Sequence, residues 1–473
     1  MFFNSFEYLV FFSLVAAFYF LFPYKYRWIV VLIGSYYFYM SWKPVYGFLL
    51  FVTTFVDWSL ALLMSKYEEA RKRKRLLLLS IAINLSVLFF FKYFNFITTS
   101  FWDFFIASGE PYIIQIVLPI GISFYTFQSM AYMIDVYRGR LLPERNFGKY
   151  AAFVSFFPHL VSGPILRPAN IIPQFYEEKK WNQENVSHGL YLIGVGLFKK
   201  VIIADRLAFF VNTVYGAPEL FSGAILLIAT YFFAFQIYSD FSGYTDIAIG
   251  SARILGYTIP DNFRQPYFSA TIPEFWRRWN ISLSTWLRDY LYIPLGGSRE
   301  GTFKTYRNLF ITMLLGGLWH GAAWTFVFWG SLQGVFLSLS KCTIEWRDRV
   351  LRMLAIPDMV IRFCRIFITF NLVCLGWIFF RAASFHDALY MIRTIFTSFG
   401  ALESSVVRVD RIVWYVFLII GLIIFDVFES RRGNYRLIRS LPWYSQWAFA
   451  YAVIMVFILF GIQTGSPFIY FQF

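Results

Sequence analysis

Four histidines occur in this chain, and one of them, His320, sits in a setting that suits chemistry. It lies inside the run LFITMLLGGLWHGAAWTFVFWGSLQG, which is almost free of formal charge. An ionisable group at membrane depth is costly unless it faces protein or a water-filled cavity, so it is a functional candidate by default. With an unperturbed pKa of about 6.5, imidazole can take a proton from a hydroxyl near neutral pH. The alternative is a packing histidine bonded to a neighbouring carbonyl. Upstream, EFWRRWNISLSTWLRDYLYIPLGGSR gathers polar groups of a second kind: Arg277, Arg278, Asn280, Ser284 and Arg288. Asn280 can donate from its amide or orient an imidazole, and the arginines can meet phosphate.

These groups need elements to hold them. Phe275, Trp279, Leu283, Trp286 and Tyr290 recur at spacings of three and four, with Arg277, Asn280, Ser284 and Arg288 on another face. That pattern predicts one amphipathic helix, suited by its tryptophans and arginines to a membrane interface. The run from Leu309 to Leu339 is long enough to cross a bilayer, although Gly316, Gly317, Gly321 and Gly330 interrupt it.

Composition sets the class. With 59% hydrophobic and 15% charged residues and a mean hydropathy of +0.57, the chain reads as an all-α polytopic membrane protein. Apolar stretches run from Phe6 to Ile462 without a long polar block, so one membrane domain, 1–473, is expected. The segments are Phe6–Phe22, Trp28–Met40, Val45–Met64, Leu76–Phe91, Phe94–Ala107, Ile113–Ile134, Leu220–Ile237, Ile361–Phe380, Trp414–Phe428 and Trp447–Ile462, besides the central ones. Re-entrant and interfacial pieces included, roughly 11–13 membrane segments are expected. The absence of a basic leader and cleavage site makes Phe6–Phe22 a retained first span.

The 42 basic residues outnumber the 27 acidic ones, a formal charge of +15, which in this class reflects cytoplasmic loops facing anionic lipid rather than nucleic-acid binding. The basic loops after the first and third segments lie on one face, which places the N-terminus outside the cytoplasm. Cys342, Cys364 and Cys374 have no spacing for a disulfide framework or a cysteine zinc site.

Between Ala151 and Gln174, Pro158, Gly163, Pro164, Pro168 and Pro173 preclude a continuous helix, and a re-entrant piece lining a cavity is expected. A hydrogen-bonding structural role suits His159 there better than catalysis. Lys199 and Lys200 interrupt an apolar helix, where lysines can snorkel or meet a donor's phosphates. Asp240 and Asp246, six residues apart, do not share a helix face; a metal site is weakly supported, and buried hydrogen bonding to backbone or to an arginine is the better reading. Lys341–Arg352 reads as a charged loop, and His386 as a helix-boundary residue.

FWRRWNISLSTWLRDYLYIPLGG followed about forty residues later by GLWHGAAWTF resembles the membrane-bound O-acyltransferase (MBOAT) superfamily, in particular its bacterial branch of alginate O-acetylation and teichoic-acid D-alanylation. PIGISFYTFQSMAYMIDVYRG and FFPHLVSGPILRP extend the likeness, which covers about Pro119 to Arg381. The resemblance implies helices around a central tunnel and His320 as catalytic base with Asn280 as its polar partner. Arg277, Arg278, Ser284, Arg288, Trp319 and His159 are candidate substrate- or donor-binding residues.

Relatives often carry histidine where this chain has Asn280, which concentrates base chemistry on His320, and often histidine where it has Gln333. The resemblance further implies acetyl-CoA or another acyl thioester as co-substrate, no resident cofactor or metal, and an extracytoplasmic glycan acceptor. It also implies a periplasmic or membrane partner protein that completes delivery, in the inner (cytoplasmic) membrane. The competing readings are a polysaccharide or lipid-linked transporter or flippase, against which stands the lack of an internal repeat between the halves, and a non-catalytic scaffold of a secretion complex.

Overall fold

The computed structural model describes residues 1–106, 110–161, 163–353, 356–402, 409–460 and 468–469. Among these residues there is no β-strand. Six helices are long and apolar enough to cross a membrane: Pro44–Ser65, Ala70–Phe105, Gln183–Gly216, Gly223–Ile254, Asp358–Arg381 and Val409–Glu429. Phe6–Leu21 is a shorter apolar helix. The protein is thus an all-α polytopic membrane protein. Residues 461 and 462, at the end of the last expected segment, and Ala107 lie outside the described residues.

The chain divides into two compact units, Met1–Ile193 with Thr245–Pro260, and Gly194–Tyr244 with Asp261–Phe473. In the first unit, Ala70–Phe105 is a single 36-residue helix with a π-turn at Phe89–Tyr93. Sequence reading splits it at Lys92 and Tyr93 because polar residues lower local hydropathy, but neither breaks a helical backbone. At 1.5 Å per residue it exceeds a hydrocarbon layer of about 30 Å, so its basic start reaches beyond it.

Asp57, fully buried, accepts from Ser80 Oγ (2.6 Å) and Asn84 Nδ2 (2.9 and 3.0 Å). The proline-rich stretch is broken as expected: helix Phe147–Ser155 stops at Phe156, and Phe157–Leu160 and Pro168–Ile171 are single turns. Phe153, Phe156, Phe157 and Leu166 are fully buried, so this irregular backbone is packed in protein.

In the second unit the long apolar run is not one span. It is a helix hairpin: Thr302–His320, a break at Gly321–Ala323, then Trp324–Met353. The glycines that seemed to interrupt a span let two helices touch, because a Cβ on Gly317 would lie 2.8 Å from Gly330 Cα and 2.4 Å from Phe326 O. The second helix also runs through Lys341–Arg352, the stretch expected as a loop. Its lysine, glutamate and arginines are good helix formers, and charge alone does not end a helix.

Lys200 is buried between Asp205 Oδ1 (2.8 Å) and Asp240 Oδ1 (2.6 Å), and Asp240 Oδ2 accepts the Ile469 N–H at 2.7 Å. Asp240 thus has the backbone partner that the sequence suggests, and its cation is a lysine rather than an arginine; Lys200 is committed to an ion pair rather than snorkelling.

Candidate active site

The expected amphipathic helix is two helices. Ile272–Arg278 starts at Thr271, whose side chain accepts the Glu274 N–H, and ends at Trp279; Ile281–Leu287 follows, and a π-turn spans Arg288–Tyr292. The break is Asn280, at φ 43° and ψ 57°. Asparagine tolerates this left-handed conformation better than most residues with a side chain.

A neighbouring loop holds the break from outside. Asn262 O accepts the Ile281 N–H (2.9 Å), Asn262 Oδ1 accepts from Ser282 N (3.0 Å) and Oγ (2.8 Å), and Arg264 N donates to Arg278 O (2.9 Å). Phe275, Trp279 and Leu283 are each 1% exposed. The apolar stripe is thus packed in the protein interior rather than laid on a membrane interface.

Asn280 is 1% exposed, and neither Oδ1 nor Nδ2 has a hydrogen-bond partner among the described residues. A buried polar atom left unsatisfied costs about 1–3 kcal/mol. Asn280 thus combines a buried amide lacking a partner among the described residues with an uncommon backbone conformation.

His320 ends its helix, 5% exposed, within an aromatic cage. Trp319 lies 5.0 Å away at 80°, Trp329 5.1 Å at 89° and Phe380 5.4 Å at 72°. All three are edge-to-face contacts, which suit rings with opposed edge and face charge. An aromatic path joins this cage to the Asn280 break: Trp329 stacks on Trp377 (5.8 Å, 15°), and Trp377 packs on Trp279 at 5.1 Å. Trp329 and Phe380 lay outside the sequence-derived site. Trp329 stood in the quoted run without a role; Trp377 and Phe380 come from Asp358–Arg381, and no local spacing links them to His320.

The remaining candidates separate. Ser284 Oγ donates to Trp279 O (3.2 Å) and helps hold the break. Arg288 Nε donates to Asp289 Oδ1 (2.7 Å), a bond that stabilises the charged guanidinium and raises its pKa. Arg277 and Arg278, with Arg264 and Arg362, line a cavity of about 590 Å³. Arg278 pairs with Glu274 (2.6 Å) and Arg264 with Asp261 (3.2 Å), while Arg277 and Arg362 form no ion pair among the described residues. His159 belongs to the first unit; its Nε2 is 2.7 Å from Gln128 Oε1, whose amide nitrogen donates to Phe153 O at 3.0 Å. Among the described residues no three His, Cys, Asp or Glu side chains are grouped to hold a metal ion.

A buried imidazole in an aromatic cage and a buried asparagine in a left-handed conformation thus belong to one unit of a many-helix membrane scaffold. The model of the membrane-bound O-acyltransferase family matches residues 74–379, and the chain belongs to that family. Among its relatives are two named probable alginate O-acetylase AlgI: that of Azotobacter vinelandii is 43% identical over 83% of this chain and 77% of its own, and that of Pseudomonas putida 38% identical over 98% of each. The peptidoglycan O-acetyltransferase of Helicobacter pylori is 35% identical over 77% of this chain and 72% of its own. The protein is a membrane O-acyltransferase, which sets aside the transporter and scaffold readings.

Proposed function

We propose that this enzyme moves an acetyl group from acetyl-CoA, taken from the cytoplasm, to a hydroxyl of an extracytoplasmic polysaccharide, directly or through a partner protein that relays it. The observation that carries the reading is the position of His320, buried at a helix end among Trp319, Trp329 and Phe380. A base for a hydroxyl proton must sit where water, which would hydrolyse a thioester, is scarce. Asn280 supplies an amide that can hold either the imidazole or the thioester carbonyl. The relatives named for alginate and peptidoglycan acetylation favour a glycan acceptor.

The cavity lined by Arg264, Arg277, Arg278 and Arg362 suits the phosphates of the donor, since guanidinium groups bind phosphate bidentately. To this proposal also belong the inner-membrane location with the N-terminus outside the cytoplasm, and the central tunnel in which donor and acceptor meet. So does the treatment of 1–473 as one catalytic domain, whose family match runs through both compact units.

The test is thiol release from acetyl-CoA by the protein in lipid nanodiscs, with an alginate oligosaccharide as acceptor, for wild type and His320→Ala. Release by wild type, reduced by about 10²–10⁴-fold in a folded His320→Ala variant, is the expected result. Equal rates would remove His320 from the chemistry, and a wild type that fails to bind acetyl-CoA would point to another donor.

A further inference from the structure

The second unit also holds a buried hydrogen-bond donor that lacks an acceptor among the described residues. Trp329 is 1% exposed, and its indole N–H has no acceptor among the described residues. Its place in the fold makes this more than a packing defect. Trp329 and Gln333 lie four residues apart on helix Trp324–Met353 and so share a face. Gln333, also 1% exposed, accepts from Trp276 Nε1 at 3.3 Å through Oε1. With the oxygen so engaged, the amide nitrogen turns the other way, toward Gly376. A Cβ on Gly376 would lie 2.5 Å from Gln333 Nε2 and 3.4 Å from Trp329 Nε1. Both nitrogens therefore pack beside the bare face of a glycine, where any side chain would displace the Gln333 amide.

The same indole forms a wall of the histidine cage, 5.1 Å from the His320 ring, and Trp377 holds it in place by stacking at 5.8 Å. The base and the indole donor thus meet on one ring. Preorganised donors in a dry site are the usual means of stabilising the oxygen of a tetrahedral intermediate.

We propose that Trp329 Nε1–H and Gln333 Nε2–H bind the carbonyl oxygen of the acyl group during transfer, as an oxyanion hole built from one helix face. The proposal rests on the reading of His320 as base. The acceptor hydroxyl oxygen bonds to the thioester carbonyl carbon while its proton passes to His320. The carbonyl π pair moves onto oxygen, where the two N–H groups hold the charge. On collapse the C–S bond breaks with its electron pair on sulfur, and sulfur takes the proton from the imidazolium. The products are an ester and a thiol, and no further reactant is needed.

The test replaces Trp329 with β-(3-benzothienyl)alanine, which keeps the bicyclic shape but has sulfur in place of N–H, and separately makes Gln333→Met. Both full-length proteins are assayed in nanodiscs with acetyl-CoA and an alginate oligosaccharide beside wild type and His320→Ala. Each donor variant is expected to lose roughly 10²–10³-fold in kcat with KM for acetyl-CoA close to wild type; thermal unfolding stays close to wild type for the Trp329 variant and falls modestly for Gln333→Met, which also removes the acceptor of Trp276 Nε1. Donor variants within threefold of wild-type kcat, or changed in KM alone, would overturn the donor pair while an inactive His320→Ala leaves the base intact. His320→Ala turning over at the wild-type rate would overturn both.

Discussion

Asn280 carries two demands that different substitutions separate. Its backbone needs a left-handed conformation, and its amide is buried without partners among the described residues. Asn280→Gly keeps the first and removes the second; Asn280→Ala removes both. Both variants lose the buried amide, so thermal unfolding should place the alanine variant about 1–2 kcal/mol below the glycine variant. Thiol release should fall in both, and a glycine variant with full activity would make the asparagine purely conformational.

His320 is readable as a candidate because an ionisable side chain is out of place in an apolar run, whereas Asn280, on the polar face of its segment, is singled out by the resemblance of its motif. Gln333 was noticed only as a departure from relatives, and its orientation toward Gly376 depends on a partner, Trp276, that lies 57 residues away in sequence. No periodicity encodes that contact.

Among elements, the hairpin of Thr302–His320 and Trp324–Met353 does the positioning. A Cβ on Gly330 would meet Met313 O at 2.5 Å and Gly317 Cα at 2.9 Å, backbone atoms that cannot rotate away. Gly330→Ala should push the helices apart, lower stability by about 1–3 kcal/mol in thermal unfolding, and reduce thiol release by moving His320 relative to Trp329. An unchanged melting temperature would argue against close helix contact there.

The apolar segments themselves were readable from hydropathy, but their direction was not. Hydropathy from Leu309 to Leu339 stays high through the reversal at Gly321–Ala323, because a chain that turns back within protein need not become polar. The break at Asn280 hid for a related reason. The stripe of Phe275, Trp279 and Leu283 keeps its spacing across it, since both short helices bury the same kind of side chain.

For the molecule as a whole, electrostatics divides between an interior ion cluster and an open arginine cavity. Lys200→Met would leave Asp205 and Asp240 buried without their cation, and removing one partner of a buried pair costs about 3–5 kcal/mol. The expected result is a large drop in thermal stability, mostly restored when Asp205→Asn and Asp240→Asn are added; a mild effect of Lys200→Met alone would show the carboxylates to be neutral. The cavity should behave differently. Arg277→Gln with Arg362→Gln is expected to raise KM for acetyl-CoA several-fold with little change in kcat, and to weaken its dependence on ionic strength. A KM unmoved by the double substitution would release these arginines from donor binding.

The bond from Ile469 to Asp240 joins residues 229 positions apart. At about 5–20 residues per second, a ribosome reaches Ile469 roughly 10–50 s after Asp240 has been made. During that interval the carboxylate has entered the nascent protein with Lys200 already present but its backbone donor not yet synthesised. Maturation of this ion cluster is therefore timed by translation itself, and its final hydrogen bond can form only after nearly every other helix of the chain exists.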